Sequence, residues 1–113
     1  MSRSTDQRIA DILQAIDRCQ WYVDALSSDD RDLADMAEDA VERNLQIIGE
    51  ATKHLPTVLT DDHPEIAWPQ IRGFRSILVH QYFGVDVATV REVVETYLPP
   101  LAAALRTGSN TKP

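Results

Sequence analysis

Arg75, His80 and Tyr82 are the side chains whose types and spacing invite chemistry, in the run Arg75-Ser76-Ile77-Leu78-Val79-His80-Gln81-Tyr82. An arginine stays charged at any physiological pH and presents a planar fork of donors, so it holds an anion. A histidine, with an unperturbed pKa of about 6.5, gives or takes a proton near neutrality. The pair describes an anion site with a proton-transfer group beside it. Charge marks the same place. The chain has 113 residues, 11 Lys and Arg against 18 Asp and Glu, and a formal charge of −7. Yet no acid occurs from Ile66 to Val85, where Arg72 and Arg75 leave +2 against −9 in the remainder. An acidic chain does not coat DNA diffusely, so nucleic acid would have to be met at this local basic segment.

The elements that must position these residues read as helices. There are 4 glycines, few β-branched alternations, and long runs of Ala, Leu, Glu, Asp and Arg. The first helix starts near Thr5, where Ser4 and Gln7 have the form of a capping box. Its apolar stripe is Ile9, Ile12, Leu13, Ile16, Cys19, Val23 and Leu26. After a break at Ser27 to Asp30, a second and longest helix carries Leu33, Met36, Ala37, Ala40, Val41, Asn44, Leu45, Ile48 and Ala51 toward the core. Its outward positions from Asp29 to Glu42 are mostly acidic and read as a solvated face, the other reading being a docking surface for a basic partner.

Pro56 and Pro64 bracket one long connection with room for a short helical turn. Pro69 suits the first turn of a third helix, running to about Tyr82 and stopped by Gly84. Asp86 caps a fourth helix with Val87, Val90, Val94, Leu98, Leu101 and Leu105 on its apolar face. Pro99 and Pro100 within it predict a kink or a restart. The expected architecture is an all-α, up-and-down four-helix bundle, one domain over residues 1–106 with a disordered tail at 107–113.

On these residues the chain resembles the HEPN superfamily, and specifically the HepT-like ribonuclease toxins. Arg, four residues, His, one residue, Tyr is the family's motif. Three further blocks match in order: Ala40 to Ala51 as the second helix, His63 to Trp68 as the lead-in, and Phe83 to Asp86 as the close. Ser76 departs from the usual Asn or other polar residue; serine still hydrogen-bonds, with shorter reach. The resemblance implies an endoribonuclease with a composite site at a homodimer interface, paired with a nucleotidyltransferase antitoxin that attaches AMP to Tyr82.

The chemistry agrees with what is present. RNA carries its own nucleophile, the ribose 2′-hydroxyl, so no cofactor or metal is called for. His80 moves the proton, and Arg75 stabilises the extra charge on phosphorus. On a regular helix these two lie about 140° apart and about 7.5 Å along the axis, a poor pair in one copy. A two-fold dimer supplies two of each. Tyr82 lies about 20° around the helix from Arg75, so a phosphate tethered there would occupy the anion site and repel RNA. Unmodified, it hydrogen-bonds to substrate or simply packs.

Plainer readings stand beside these. His80 can be a packed helix histidine, and Arg75 an inter-helix ion pair. Arg72 either adds phosphate attraction or neutralises Glu65 or another carboxylate. His54, Asp61, Asp62 and His63 lack a regular metal-ligand spacing. Cys19 sits on an apolar stripe and reads as core. Trp21, Tyr22, Trp68 and Tyr97 read as packing or dimer contacts, with Trp68 also placed to border the groove. The alternative function is a non-catalytic nucleotide- or partner-binding module working with a nucleotidyltransferase, or a purely structural dimerisation bundle. A single cysteine and no recognisable secretory leader lead to the expectation of a reducing cytoplasm. The longest strictly apolar stretch, Leu101 to Leu105, predicts no membrane span.

Overall fold

The computed structural model describes residues 3–74, 76 and 87–110, with side chains as far as 107. Helix α1, Thr5–Tyr22, begins with the predicted capping box. The Gln7 N–H donates to Ser4 Oγ at 3.1 Å, and the Ser4 N–H donates to Gln7 Oε1 at 2.8 Å. The α-helix ends sooner than its stripe implies. Val23–Ser27 tighten into a 3₁₀ turn that still buries Val23 and Leu26. Arg91 holds that turn: its Nη2 donates to the Val23 carbonyl at 3.0 Å and to Ser27 Oγ at 2.7 Å.

Helix α2, Arg31–Thr52, is capped by Asp30, whose carboxylate accepts from the Asp32 and Leu33 N–H groups at 3.1 and 3.3 Å. Ala37, Val41, Asn44, Leu45 and Ile48 are buried as expected. Leu33 and Met36 are not; Met36 is 66% exposed. The stripe outruns the core at the N-terminal end of α2, because the neighbouring helices cover only the later turns. The Asp29 to Glu42 acids stand exposed or half-exposed, as a solvated face does.

The connection holds the predicted short turn as α3, Thr57–Asp61, followed by α4, Trp68–Arg72. The third helix is therefore interrupted: α4 stops at a turn on Gly73, whose N–H donates to the Pro69 and Gln70 carbonyls, and Phe74 and Ser76 are again helical. Gly84 and Asp86 lie outside the described residues.

The last element, α5, Val87–Asn110, passes through Pro99 and Pro100 without restarting. Both prolines are exposed, as are Glu95 and Thr96, whose carbonyls lose their helical partners; water can satisfy them there. α5 also continues past Thr107, whose hydroxyl donates to the Ala103 carbonyl at 2.8 Å, so the stretch 107–110, expected as part of a disordered tail, is helical.

Helix α1 packs on α2 and α5, and α4 packs on α2. Arg91 against Val23 and Ser27, with Arg106 against Asp17 at 3.5 Å, sets α5 antiparallel to α1. One continuous core gathers Ile12, Ile16, Leu45, Ile48, Ile71, Phe74, Leu98 and Leu101 with their neighbours. Among the described residues there is no strand, and no helix is long and apolar enough to cross a membrane. The fold is an all-α, HEPN-like helical bundle.

Candidate functional site

The segment leading to the motif is held by its backbone and by two aromatic anchors. Trp68 is buried, and its indole N–H donates to the Thr60 and His63 carbonyls, both at 3.0 Å, which ties the connection to the start of α4. Trp68 therefore packs, as the first of its sequence readings has it. Ile71 is fully buried on α2, directly over Gly49. A Cβ at Gly49 would lie 3.0 Å from the Ile71 carbonyl oxygen, so only glycine lets the two backbones come this close. Phe74, 1% exposed, meets the Tyr97 ring edge-on with centroids 5.9 Å apart. Tyr97 is thus a packing residue.

Arg72 sits between these anchors and is half-buried. Among the described residues it makes no ion pair or side-chain hydrogen bond, and its Nε is buried without a partner. Neutralisation of Glu65 is not what it does, since Glu65 pairs with His63 Nδ1 at 3.2 Å. A backbone hydrogen bond, with the His63 contact second to it, holds the Glu65 carboxyl below its ordinary range. Ser76 is helical and exposed. Arg75, His80 and Tyr82 lie outside the described residues.

Arg72 lines a groove of about 630 Å³ together with Arg3, Arg8, Arg43, Lys53 and His54. Two carboxylates share it, and both are engaged. Asp11 takes Arg3 at 2.7 and 2.9 Å, and Glu50 meets Lys53 at 3.3 Å and His54 at 3.8 Å. Arg8 and Arg43, like Arg72, carry no ion pair or side-chain hydrogen bond among the described residues. The sequence candidates do not include Arg8, Arg43 or Lys53. The signal for Arg43 and Lys53 is a switch in the polar face of α2, acidic as far as Glu42 and then Arg43, Gln46, Glu50 and Lys53 at helical spacing; Arg8, on α1, carries no such signal.

The remaining candidates resolve plainly. Cys19 is buried with its Sγ 3.8 Å from the Val41 carbonyl, and burial pushes its thiol up to about 12, the opposite of an activated nucleophile. No three His, Cys, Asp or Glu side chains among the described residues gather to hold a metal ion.

Residues 12–107 match the family described as Ribonuclease HepT-like. The chain is 36% identical over 101 residues to a protein named "Probable ribonuclease HepT" from Thermococcus cleftensis, covering 89% of this chain and 92% of that one. It is 37% identical over 90 residues to a "Gamma-glutamylcyclotransferase and putative RNase" of Methanocaldococcus jannaschii, 80% of this chain and 40% of that protein. A "Putative RNase" of Caldanaerobacter subterraneus is 41% identical over 59 residues, 52% of this chain and 53% of its own length. The chain thus spans about half or less of the latter two relatives. No solved structure matches it. With the matched span running from α1 through the motif into α5, the chain belongs to the HepT-like ribonuclease family of HEPN-type helical proteins.

Proposed function

We propose that this protein is a metal-independent endoribonuclease, the toxin of a type II- or VII-like toxin–antitoxin pair, active as a homodimer in the cytoplasm. The observation that carries the reading is the family match over residues 12–107, which contains Arg75, His80 and Tyr82 at the motif's spacing.

The proposed reaction needs only groups that this chain and RNA supply. The 2′-oxygen attacks the adjacent phosphorus while one His80 imidazole takes the 2′ proton. The P–O5′ bond breaks, and the partner's His80, as imidazolium, gives the departing oxygen its proton. The products are a 2′,3′-cyclic phosphate and a 5′-hydroxyl. The Arg75 guanidiniums bear the charge that accumulates on the non-bridging oxygens. Ser76 and Arg72 support the site, Ser76 by hydrogen bonding and Arg72 by phosphate attraction. Addition of AMP to Tyr82 by a nucleotidyltransferase antitoxin places a competing phosphate at the anion site and silences it.

The test is RNA cleavage by purified protein in excess chelator. Wild type cleaves and leaves cyclic-phosphate ends, while His80→Ala and Arg75→Ala each lose about 100-fold or more. Cleavage that persists in both variants overturns the reading. Co-expression with the antitoxin raises the intact mass by one or more AMP units, and Tyr82→Phe abolishes the rise.

A further inference from the structure

We propose that the groove between α1, α2 and α4 is a backbone-binding subsite for single-stranded RNA, with Arg8, Arg43 and Arg72 as its phosphate contacts. The proposal rests on the ribonuclease reading for the identity of the polyanion and on the groove's own geometry for its place.

Three features of the groove converge on a phosphodiester ligand. First, its carboxylates are already neutralised internally, Asp11 by Arg3 and Glu50 by Lys53 and His54, so the field left over is that of Arg8, Arg43 and Arg72. Second, those three cations are guanidiniums without an ion-pair partner among the described residues, in a chain where acids outnumber bases 18 to 11. Arg18 and Arg31 are unpaired among the described residues as well, so the lack of a partner is not what sets these three apart; their convergence is, since guanidiniums on three different elements face one cavity and leave their forks open to an external acceptor. Third, the buried Arg72 Nε has no acceptor, and the α4 backbone that carries it lies close against Gly49, so this guanidinium sits at the groove wall with a donor unsatisfied.

A groove of about 630 Å³ suits a strand a few nucleotides long, not a duplex face. Arg72 also belongs to the acid-free segment and stands three residues before Arg75. On the ribonuclease reading the groove holds phosphates that flank the reacting one, fixing the strand's register without reading bases.

The test uses the full-length protein and a fluorescently labelled 2′-O-methyl RNA oligonucleotide, which lacks the nucleophile and so reports binding alone. By anisotropy, Arg8→Ala and Arg43→Ala each weaken binding about 3- to 10-fold at low salt. Each also lowers the slope of log affinity against log salt by about 0.7. Arg43→Lys, which keeps the charge, preserves the slope. Neither Arg8 nor Arg43 has a partner to lose, so circular dichroism and melting stay those of wild type. Unchanged affinity and slope in the Arg8→Ala, Arg43→Ala double variant overturn the proposal. So does unchanged RNA binding with altered sedimentation of the protein alone, which marks the groove as a protein interface.

Cleavage of ordinary RNA separates this proposal from the reading beneath it. Weakened oligonucleotide binding in the variants, with no cleavage by wild type, upholds the groove and removes the nuclease. Arg75-dependent cleavage at unchanged KM in both groove variants does the reverse.

Discussion

The smallest scale is that of single groups whose surroundings decide their chemistry. Cys19 lies on the apolar face of α1 with its thiol pushed up to about 12, so it stays protonated across physiological pH. Native protein treated with iodoacetamide should remain unmodified, and full labelling should require denaturant; rapid labelling of the folded protein would contradict the burial. Glu42 is shifted in the same direction. Partial burial, the nearby Glu38 and Asp39 charges and a hydrogen bond to Glu38 raise its carboxyl above the ordinary value. A raised folded-state pKa means the native state binds this proton more tightly, so the contribution is present below the unfolded value and lost as pH rises through the folded one. Glu42→Gln should therefore raise Tm at pH 7 by about 1–3 °C, with the gain shrinking toward pH 4. Glu65, with its lowered carboxyl, acts in the other sense, its contribution fading on acidification. Residue identity alone pointed to Cys19 as core and to the acidic face of α2, because both follow from helical period. It did not separate the two readings of Arg72. That choice depends on where Glu65 finds its partner, and the partner is His63, two residues away in a loop.

At the scale of elements, one glycine and one arginine do the joining. Arg91 bonds the Val23 carbonyl and the Ser27 hydroxyl and pairs with Glu95 at 3.3 Å, so it fixes the 3₁₀ turn to α5. Arg91→Ala should cost about 1–3 kcal/mol in a denaturant titration, since the carbonyl it leaves is half-enclosed. Gly49 sets the spacing of α2 and α4. In Gly49→Ala the helix gains about 1 kcal/mol of propensity, but the new methyl sits 3.0 Å from the Ile71 oxygen and α4 has to give way. The expected outcome is a Tm within a few degrees of wild type and cleavage about 3- to 10-fold slower, through displacement of the segment that carries Arg72. Most of the helix layout was legible from caps, period and proline placement. Two breaks were not, the 3₁₀ turn after Tyr22 and the stop at Gly73. Both interrupt a periodic apolar pattern, and periodicity registers burial, not the hydrogen bonds that close each turn. The continuous helix through Pro99 and Pro100 was equally hidden, because it depends on which face of α5 meets water.

The whole molecule measures 48 × 31 × 25 Å, and its charge is distributed along α2 as unevenly as its shape. Acids crowd the first turns of that helix, and Arg43, Lys53 and His54 follow toward its end. This order also suits the peptide dipole, positive at the amino end and negative at the carboxyl end. At this scale the proposed dimer is tested by sedimentation: a two-fold assembly at micromolar concentration is expected, and a persistent monomer would leave each Arg75 and His80 without the second copy on which the reaction relies. The polarity of α2 has its own consequence for kinetics. A polyanion drifting in meets repulsion at one pole and attraction at the other, so it is turned into alignment before any contact forms. Added salt should then slow the encounter first, lowering the association rate while the lifetime of a correctly seated strand changes less.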